Sequence, residues 1–201
     1  MVAIVGGSAS GKTWLADRLC ERLGPEKIAR ISQDDFYRDL SHMTQEEREK
    51  VNFDHPDALD WDVLESVFFN LIRGHSAEVP VYDFATHTRC QDRTVMTEPG
   101  ATISIWDGLW LLNRPALRPL WFRSYFIHCE AETRLKRRIE RDTKERGRTE
   151  LFVQRQFEEA TDPMHRKYVE PQCPLASKEL QAPVSLKSVD EIAMEILSAS
   201  S

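Results

Sequence analysis

The chain opens on a short apolar run, Val2-Ala3-Ile4-Val5, of the kind a buried parallel strand shows. The period then changes. From Lys12 to Leu23 apolar residues recur three and four apart, which predicts an amphipathic helix stopped at Gly24-Pro25. Ile28-Ala29-Arg30-Ile31 reads as a second strand. The polar stretch Ser41 to Lys50 is expected to turn helical from Thr44, because Thr44-Gln45-Glu46-Glu47 has the form of a capping box. Asp60 reads as the N-cap of a helix from Trp61 to Arg73 that Gly74 ends. Val79 to Phe84 and Arg93 to Thr97 alternate in character and predict a β-hairpin over residues 79–97, with Pro80 on an edge. Ala101 to Trp106 and Ser124 to His128 are strands of the buried type. Helices are expected at Ala131 to Arg146, at Glu150 to about His165 and at Val189 to Leu197. Strands alternating with helices predict an α/β fold, a mostly parallel sheet covered on both faces. The hairpin breaks that rhythm and is expected outside the main sheet, at a substrate site or lid.

Between the first strand and the first helix lies Gly6-Gly7-Ser8-Ala9-Ser10-Gly11-Lys12-Thr13, which fits G-x-x-x-x-G-K-[ST]. Glycines let consecutive backbone N–H groups point at phosphate oxygens, and the helix N-terminus adds partial positive charge. Gly6, Ser8, Ala9, Ser10, Gly11, Lys12 and Thr13 are therefore expected to hold a nucleoside triphosphate. Lys12 would reach the β- and γ-phosphates, and the Thr13 hydroxyl would hold Mg2+.

Composition narrows the setting. The 201 residues suit one α/β domain, residues 1–201, with a single core. A net charge of −6 argues against a dedicated nucleic-acid binder. No apolar run approaches membrane-spanning length, and a phosphate loop beginning at residue 6 leaves no room for a signal peptide, so a cytoplasmic protein is expected. Cys20, Cys90, Cys129 and Cys173 show neither C-x-x-C nor histidine at zinc spacing and are read as reduced thiols.

Four constellations carry candidate chemistry. Ser32-Gln33-Asp34-Asp35-Phe36-Tyr37 ends the second strand, where ligands of open α/β sheets sit; Asp34 there could take a proton from an attacking hydroxyl, while Asp35 reads as a loop acid. Asp107 ends the strand Ala101 to Trp106, the place of a second magnesium anchor, although Asp107-Gly108 is also turn chemistry. Arg134 to Arg148 is a basic run with Arg134, Arg138 and Arg141 on one face and Leu135 and Ile139 expected on the buried side. Its Glu145-Arg146-Gly147-Arg148 end looks like a lid over phosphates. Phe53-Asp54-His55-Pro56-Asp57 with Tyr82, Phe84 and His87 combines rings that stack a base with a carboxylate that can accept both hydrogen bonds of a ribose diol; Phe53 and Phe84 could equally be core residues.

Ser32 to Tyr37, Asn52 to Ala58, Pro80 to Phe84, His87-Thr88-Arg89 and Glu145 to Arg148, in this order and spacing, closely resemble the uridine–cytidine kinase family over residues 2 to 172. The resemblance implies a three-layer phosphate-loop kinase fold with the hairpin at the substrate site and a helical lid over about residues 131–156. It implies phosphorylation of a ribonucleoside 5′-hydroxyl by ATP or GTP with Mg2+, in pyrimidine salvage. It places Asp34 as the catalytic carboxylate, with Lys12, Arg141, Arg146 and Arg148 on the phosphates. Asp54 falls on the ribose-diol acid with Phe53 beside it, Tyr82, Phe84 and His87 on the base pocket, Arg138 on a ribose contact, and Tyr37 and Gln156 on substrate-side positions. His87 could tolerate both pyrimidines, since its ring nitrogens donate or accept. Thr13 and Asp107 would hold the metal. A homo-tetramer is implied by the family alone.

The chain departs from that pattern twice. Asp107 stands where the family usually has Glu, one methylene longer. The stretch Ser177-Lys178-Glu179-Leu180-Gln181-Ala182-Pro183-Val184-Ser185 is more polar than the family's strand and lacks its Arg-Gly turn near the donor base. Two rivals remain at this stage. Related kinases act on nicotinamide riboside, pantothenate or phosphoribulose, and a nucleotide-sensing module without turnover would also carry the loop. No N-K-x-D motif supports a GTPase switch.

Overall fold

A computed structural model describes residues 1–97 and 102–199. Five parallel strands form the central sheet in the order β2-β5-β1-β6-β7: β1 Val2–Gly6, β2 Ile28–Ser32, β5 Ile103–Gly108, β6 Arg123–His128 and β7 Lys178–Gln181. Side chains alternate across such a sheet, and two apolar layers follow from that. Ala3, Val5, Ile31, Trp106 and Phe126 face one layer. Val2, Ile4, Ile28, Ile105, Tyr125 and Ile127 face the other, under α1 (Lys12–Leu23) and the C-terminal helix α7 (Leu186–Ala199).

The first layer is the larger. It is covered by α3 (Trp61–Ile72) and by Tyr168, Val169 and Cys173 in the last turns, up to Leu175, of the long helical path that follows α4 (Ala131–Glu145) through α5 (Glu150–Gln156) and α6 (Asp162–Met164). Phe157–Thr161 and His165–Val169 on this path are π-type turns, which widen the helix locally. The short helix α2 (Gln45–Arg48) carries both halves of the Thr44/Glu47 capping box, and Asp60 caps α3 by accepting from the Val63 N–H at 3.4 Å.

The hairpin lies outside the main sheet, as β3 Glu78–Asp83 paired antiparallel with β4 Thr88–Met96. Its second strand starts five residues earlier than the alternation at Arg93 indicates, because Thr88 and Arg89 pair with Asp83 and Tyr82 across a bulge. The strand expected from Ala101 begins at Ile103; Ala101 itself lies outside the described residues.

One reading of the sequence is corrected. On α4 the buried residues are Arg134, Arg138 and Asp142, whereas Leu135 and Ile139 are only partly buried. The charged face turns inward because its charges are paired there and its aliphatic stems fill the space above the phosphate loop.

Candidate active site

The loop between β1 and α1 leaves the sheet where β1 separates β5 from β6, with the strands' carboxyl ends opening on a cavity of about 590 Å3. Two glycines shape the loop. Gly11 adopts φ 104°, and a Cβ on Gly7 would lie 2.8 Å from Arg134 Cδ and 2.9 Å from His165 Nδ1. His165, at the second π-type turn, is thereby pressed against the loop; burial and then Arg134 push its pKa down to about 4, so it is neutral. Arg134 is itself anchored to Asp162 at 2.7 Å.

Lys12 Nζ donates to the Gly7 carbonyl at 2.8 Å, folded over its own loop. Burial lowers its pKa, against the raising influence of Asp107 and Asp34. Thr13 Oγ1 donates to Asp107 Oδ2 at 2.8 Å, so two hard oxygens stand side by side at the end of the loop. That donor set suits Mg2+, and the glycine loop running into the start of α1 suits phosphate. Asp107 is nearly fully buried, and its other oxygen meets Arg30 at 2.8 Å. Arg30 is a site neighbour that no sequence signal marks: it reaches Asp107 only through the β2–β5 register, which pairs Ser32 with Asp107.

Asp34 faces the same cavity from the turn after β2. Burial raises its pKa, opposed first by Lys12 and then, among the cations, by Arg146 and Arg141. Asp35 points elsewhere; its carboxyl accepts from the Tyr82 backbone, and burial pushes it up to about 6. It helps dock the hairpin. Arg89 does the same from β4, donating to the Tyr37 carbonyl at 2.9 Å and pairing with Asp60 at 3.2 Å.

The lid arginines converge on one acid. Asp142 is wholly buried, with Arg141 at 2.7 Å, Arg146 at 3.5 Å, Arg138 at 3.6 Å and Arg148 at 3.7 Å. Burial alone would raise its pKa; the Arg141 hydrogen bond and the surrounding guanidinium charges overturn that and hold it below the usual range. Asp142 was missed in the basic run, although Arg138 and Arg146 stand four residues to either side of it, the spacing of helical ion pairs.

The far end of the cavity is ringed by aromatics. Phe53 stacks on His87 with centroids 4.4 Å apart, Tyr37 lies 5.3 Å from Tyr82, and the Arg146 guanidinium sits 4.6 Å over Phe84. The Tyr37 hydroxyl donates to the Phe53 carbonyl at 3.0 Å. Tyr82 Oη and His87 Nδ1 are buried without hydrogen-bond partners among the described residues. Asp54 accepts from Thr161 at 2.8 Å, at the first π-type turn, and lies 3.7 Å from Arg138. Gln156 accepts from Arg138 at 2.7 Å and from Arg148 at 3.1 Å, while Arg138 also reaches Ser8 at 3.2 Å.

Of the residues given a role from the sequence, all line this one cavity except Gly6, which closes β1 behind it; Arg134, His55 and Asp57 of the candidate constellations do not line it. The cavity also takes in Trp14, Gly108, Leu109, Arg137, Pro183 and Val184. Of the divergent segment after residue 176, then, only the turn past β7 reaches the site; Lys178, Glu179 and Gln181 are exposed on an edge strand and Leu180 alone is buried.

A phosphate loop at a switch point, with an acid, a lysine and an arginine lid facing it, defines a P-loop kinase. The sequence model described as the phosphoribulokinase / uridine kinase family matches residues 1–183, and the chain belongs to that family. It is 42% identical over 171 residues to a uridine kinase of Chloroflexus aurantiacus, covering 85% of this chain and 81% of that one. It is 41% identical over 171 residues to a uridine kinase of Lactococcus lactis, covering 85% and 82%. The fold is also that of phosphoribulokinase from Rhodobacter spheroides, with a TM-score of 0.68 at 17% identity over 90% of this chain and 69% of that one. Among the described residues no helix is long and apolar enough to cross a membrane.

Proposed function

We propose that this kinase transfers the γ-phosphate of ATP or GTP to the 5′-hydroxyl of uridine or cytidine, giving the nucleoside monophosphate in cytoplasmic pyrimidine salvage. The observation that carries this reading is that Asp34 lines one cavity with Lys12 and with Tyr37, Phe53, Tyr82, Phe84 and His87, and is close enough to interact electrostatically with both Lys12 and Tyr37. A nucleoside fits there with its base among the rings, its diol on Asp54 and its 5′-hydroxyl toward Asp34.

The loop from Ser8 to Thr13 holds the triphosphate, and Thr13 with Asp107 would hold Mg2+, which supplies charge neutralisation on the phosphates. Asp34 orients the hydroxyl and accepts its proton as the oxygen–phosphorus bond forms and the nucleoside diphosphate leaves. Lys12, Arg141, Arg146 and Arg148 face the charge that develops on the transferring group, and fixed donors of this kind supply the larger part of such a rate. His87 is kept neutral by burial and by Arg148 and Arg146, which lower its pKa. A neutral ring can accept or donate toward position 4 of the pyrimidine, where the two substrates differ. Residues 1–201 act in this reading as one kinase unit, with the hairpin and lid as its substrate-side additions.

The test is a panel of acceptors with ATP and Mg2+, scored by ADP release. Uridine and cytidine should exceed nicotinamide riboside, pantothenate and ribulose 5-phosphate. A higher kcat/KM for any of those three would displace the pyrimidine reading while leaving the kinase in place.

A further inference from the structure

One anomaly of the sequence is not absorbed by phosphoryl transfer. β7 carries Glu179 in a strand expected to be apolar, and Glu179 does not touch the cavity. Charged residues on an edge strand discourage edge-to-edge pairing, and that suffices for Lys178. It does not explain what Glu179 meets. His128, the last residue of β6, places Nε2 2.9 Å from Glu179 Oε2 and 3.3 Å from Cys173 Sγ, which arrives from the last turn of the long helical path. The three donor atoms all lie within 4.8 Å of one another. They come from three separate segments, so no spacing rule could find them.

We propose that His128, Cys173 and Glu179 form a three-ligand site for a transition-metal ion of the Zn2+ class on the β7 edge of the sheet. The donor set is one imidazole nitrogen, one sulfur and one carboxylate oxygen, the mixture that Zn2+ accepts and that Mg2+ or Ca2+ does not. Tetrahedral zinc with bonds of about 2.0–2.3 Å holds its ligand atoms roughly 3.3–3.7 Å apart. The 2.9 and 3.3 Å separations from His128 need to open by only a few tenths of an ångström, while Cys173 Sγ and the Glu179 carboxylate, which lie within 4.8 Å of each other, close on the same range by rotation of the exposed Glu179 side chain. The His128 ring is steadied by Phe126, with centroids 4.9 Å apart. Cys173 is a neutral thiol here, pushed up to about 11 by burial and its hydrogen bond to Glu179. Ligation requires its S–H proton to pass to solvent as the metal–sulfur bond forms. Glu179 is exposed, so water can take the fourth position. The Ala182 N–H donates to the His128 carbonyl at 2.9 Å, and the next residues, Pro183 and Val184, line the cavity. An ion here would therefore fasten the one part of the divergent segment that reaches the active site. The proposal does not depend on which acceptor the kinase uses.

The experiment is a Co2+ titration of the full chain after chelator treatment, with excess Mg2+ present to occupy the hard-oxygen site at Thr13 and Asp107. The expected result is a near-ultraviolet thiolate-to-cobalt charge-transfer band that saturates at one ion per chain and is abolished by Zn2+. It should vanish in Cys173→Ser. Glu179→Gln, a substitution on the exposed edge that keeps the fold, should weaken Co2+ binding about tenfold or more, a gap of ~1.4 kcal/mol. The proposal is overturned if wild type gives no band, if the band persists in Cys173→Ser and so comes from another cysteine, or if Glu179→Gln binds Co2+ as tightly as wild type.

Discussion

The two ends of the cavity are made of different material. At the phosphate-loop end the lining comes from consecutive residues, Ser8 to Thr13, whose backbone runs into the start of α1, an arrangement that suits phosphate. At the aromatic end, where the proposed acceptor would sit, it comes from side chains on the turn after β2, the turn at Phe53-Asp54, the hairpin, α4 and α5. A backbone cradle reads phosphate and little else. An assembled ring of side chains reads shape and hydrogen bonding, and it depends on every segment arriving in place. Asp142 ties the ends together: its arginines include Arg138, which touches Ser8 on one side and faces Asp54 on the other, and Arg146, whose charge reaches Asp34.

The sharpest break lies where the two ends meet. Asp34→Asn keeps shape and removes the base, so kcat should fall by about 10²–10⁴ while nucleoside and ATP binding by calorimetry persist. A turnover number near that of wild type would remove Asp34 from the mechanism.

Asp142→Asn tests the coupling. The substitution makes the site more positive, so charge alone would favour an anionic transition state. If Asp142 instead positions the guanidinium groups, kcat should drop about thirtyfold, the equivalent of ~2 kcal/mol for a lost hydrogen bond to a charged group, with ADP affinity retained. An unchanged or higher kcat in a folded variant would mean that the arginines need no organiser.

At the acceptor end alone, Asp54→Ala should cost uridine more than 2′-deoxyuridine. A carboxylate on a diol has less to lose once one hydroxyl is gone, and the difference should be about tenfold in kcat/KM, ~1.5 kcal/mol at the low end for such bonds. Equal losses would show that Asp54 serves Thr161 and Arg138 and does not read ribose.

The smallest effect belongs to the phosphate end. Its cradle does not see the donor base, and of the divergent segment only Pro183 and Val184 reach the cavity, with no polar side chain between them. ATP and GTP should therefore lie within about tenfold in kcat/KM, because rejection of a base requires buried polar groups left unpaired. A preference of several hundredfold in donor competition would locate a specific base pocket elsewhere, with Arg137 and Trp14 the next groups to test.

The fold class and the phosphate loop were legible along the chain because both are local: a change of hydrophobic period, caps at Thr44 and Asp60, and glycines within one octet. The residues of the aromatic end were singled out because their motifs resemble a known family, not because spacing reveals a pocket. What only the tertiary structure decided are contacts between segments far apart in sequence. Arg30 meets Asp107 through strand register, His165 is pressed on Gly7 by a π-type turn, and His128, Cys173 and Glu179 converge at a sheet edge. The inverted face of α4 belongs with them. Periodicity assigns apolar residues to the inside, but a buried acid that gathers four arginines makes the charged face the inner one; the four-residue spacing marks Asp142 as a partner of Arg138 and Arg146 and does not say that the pairs are buried.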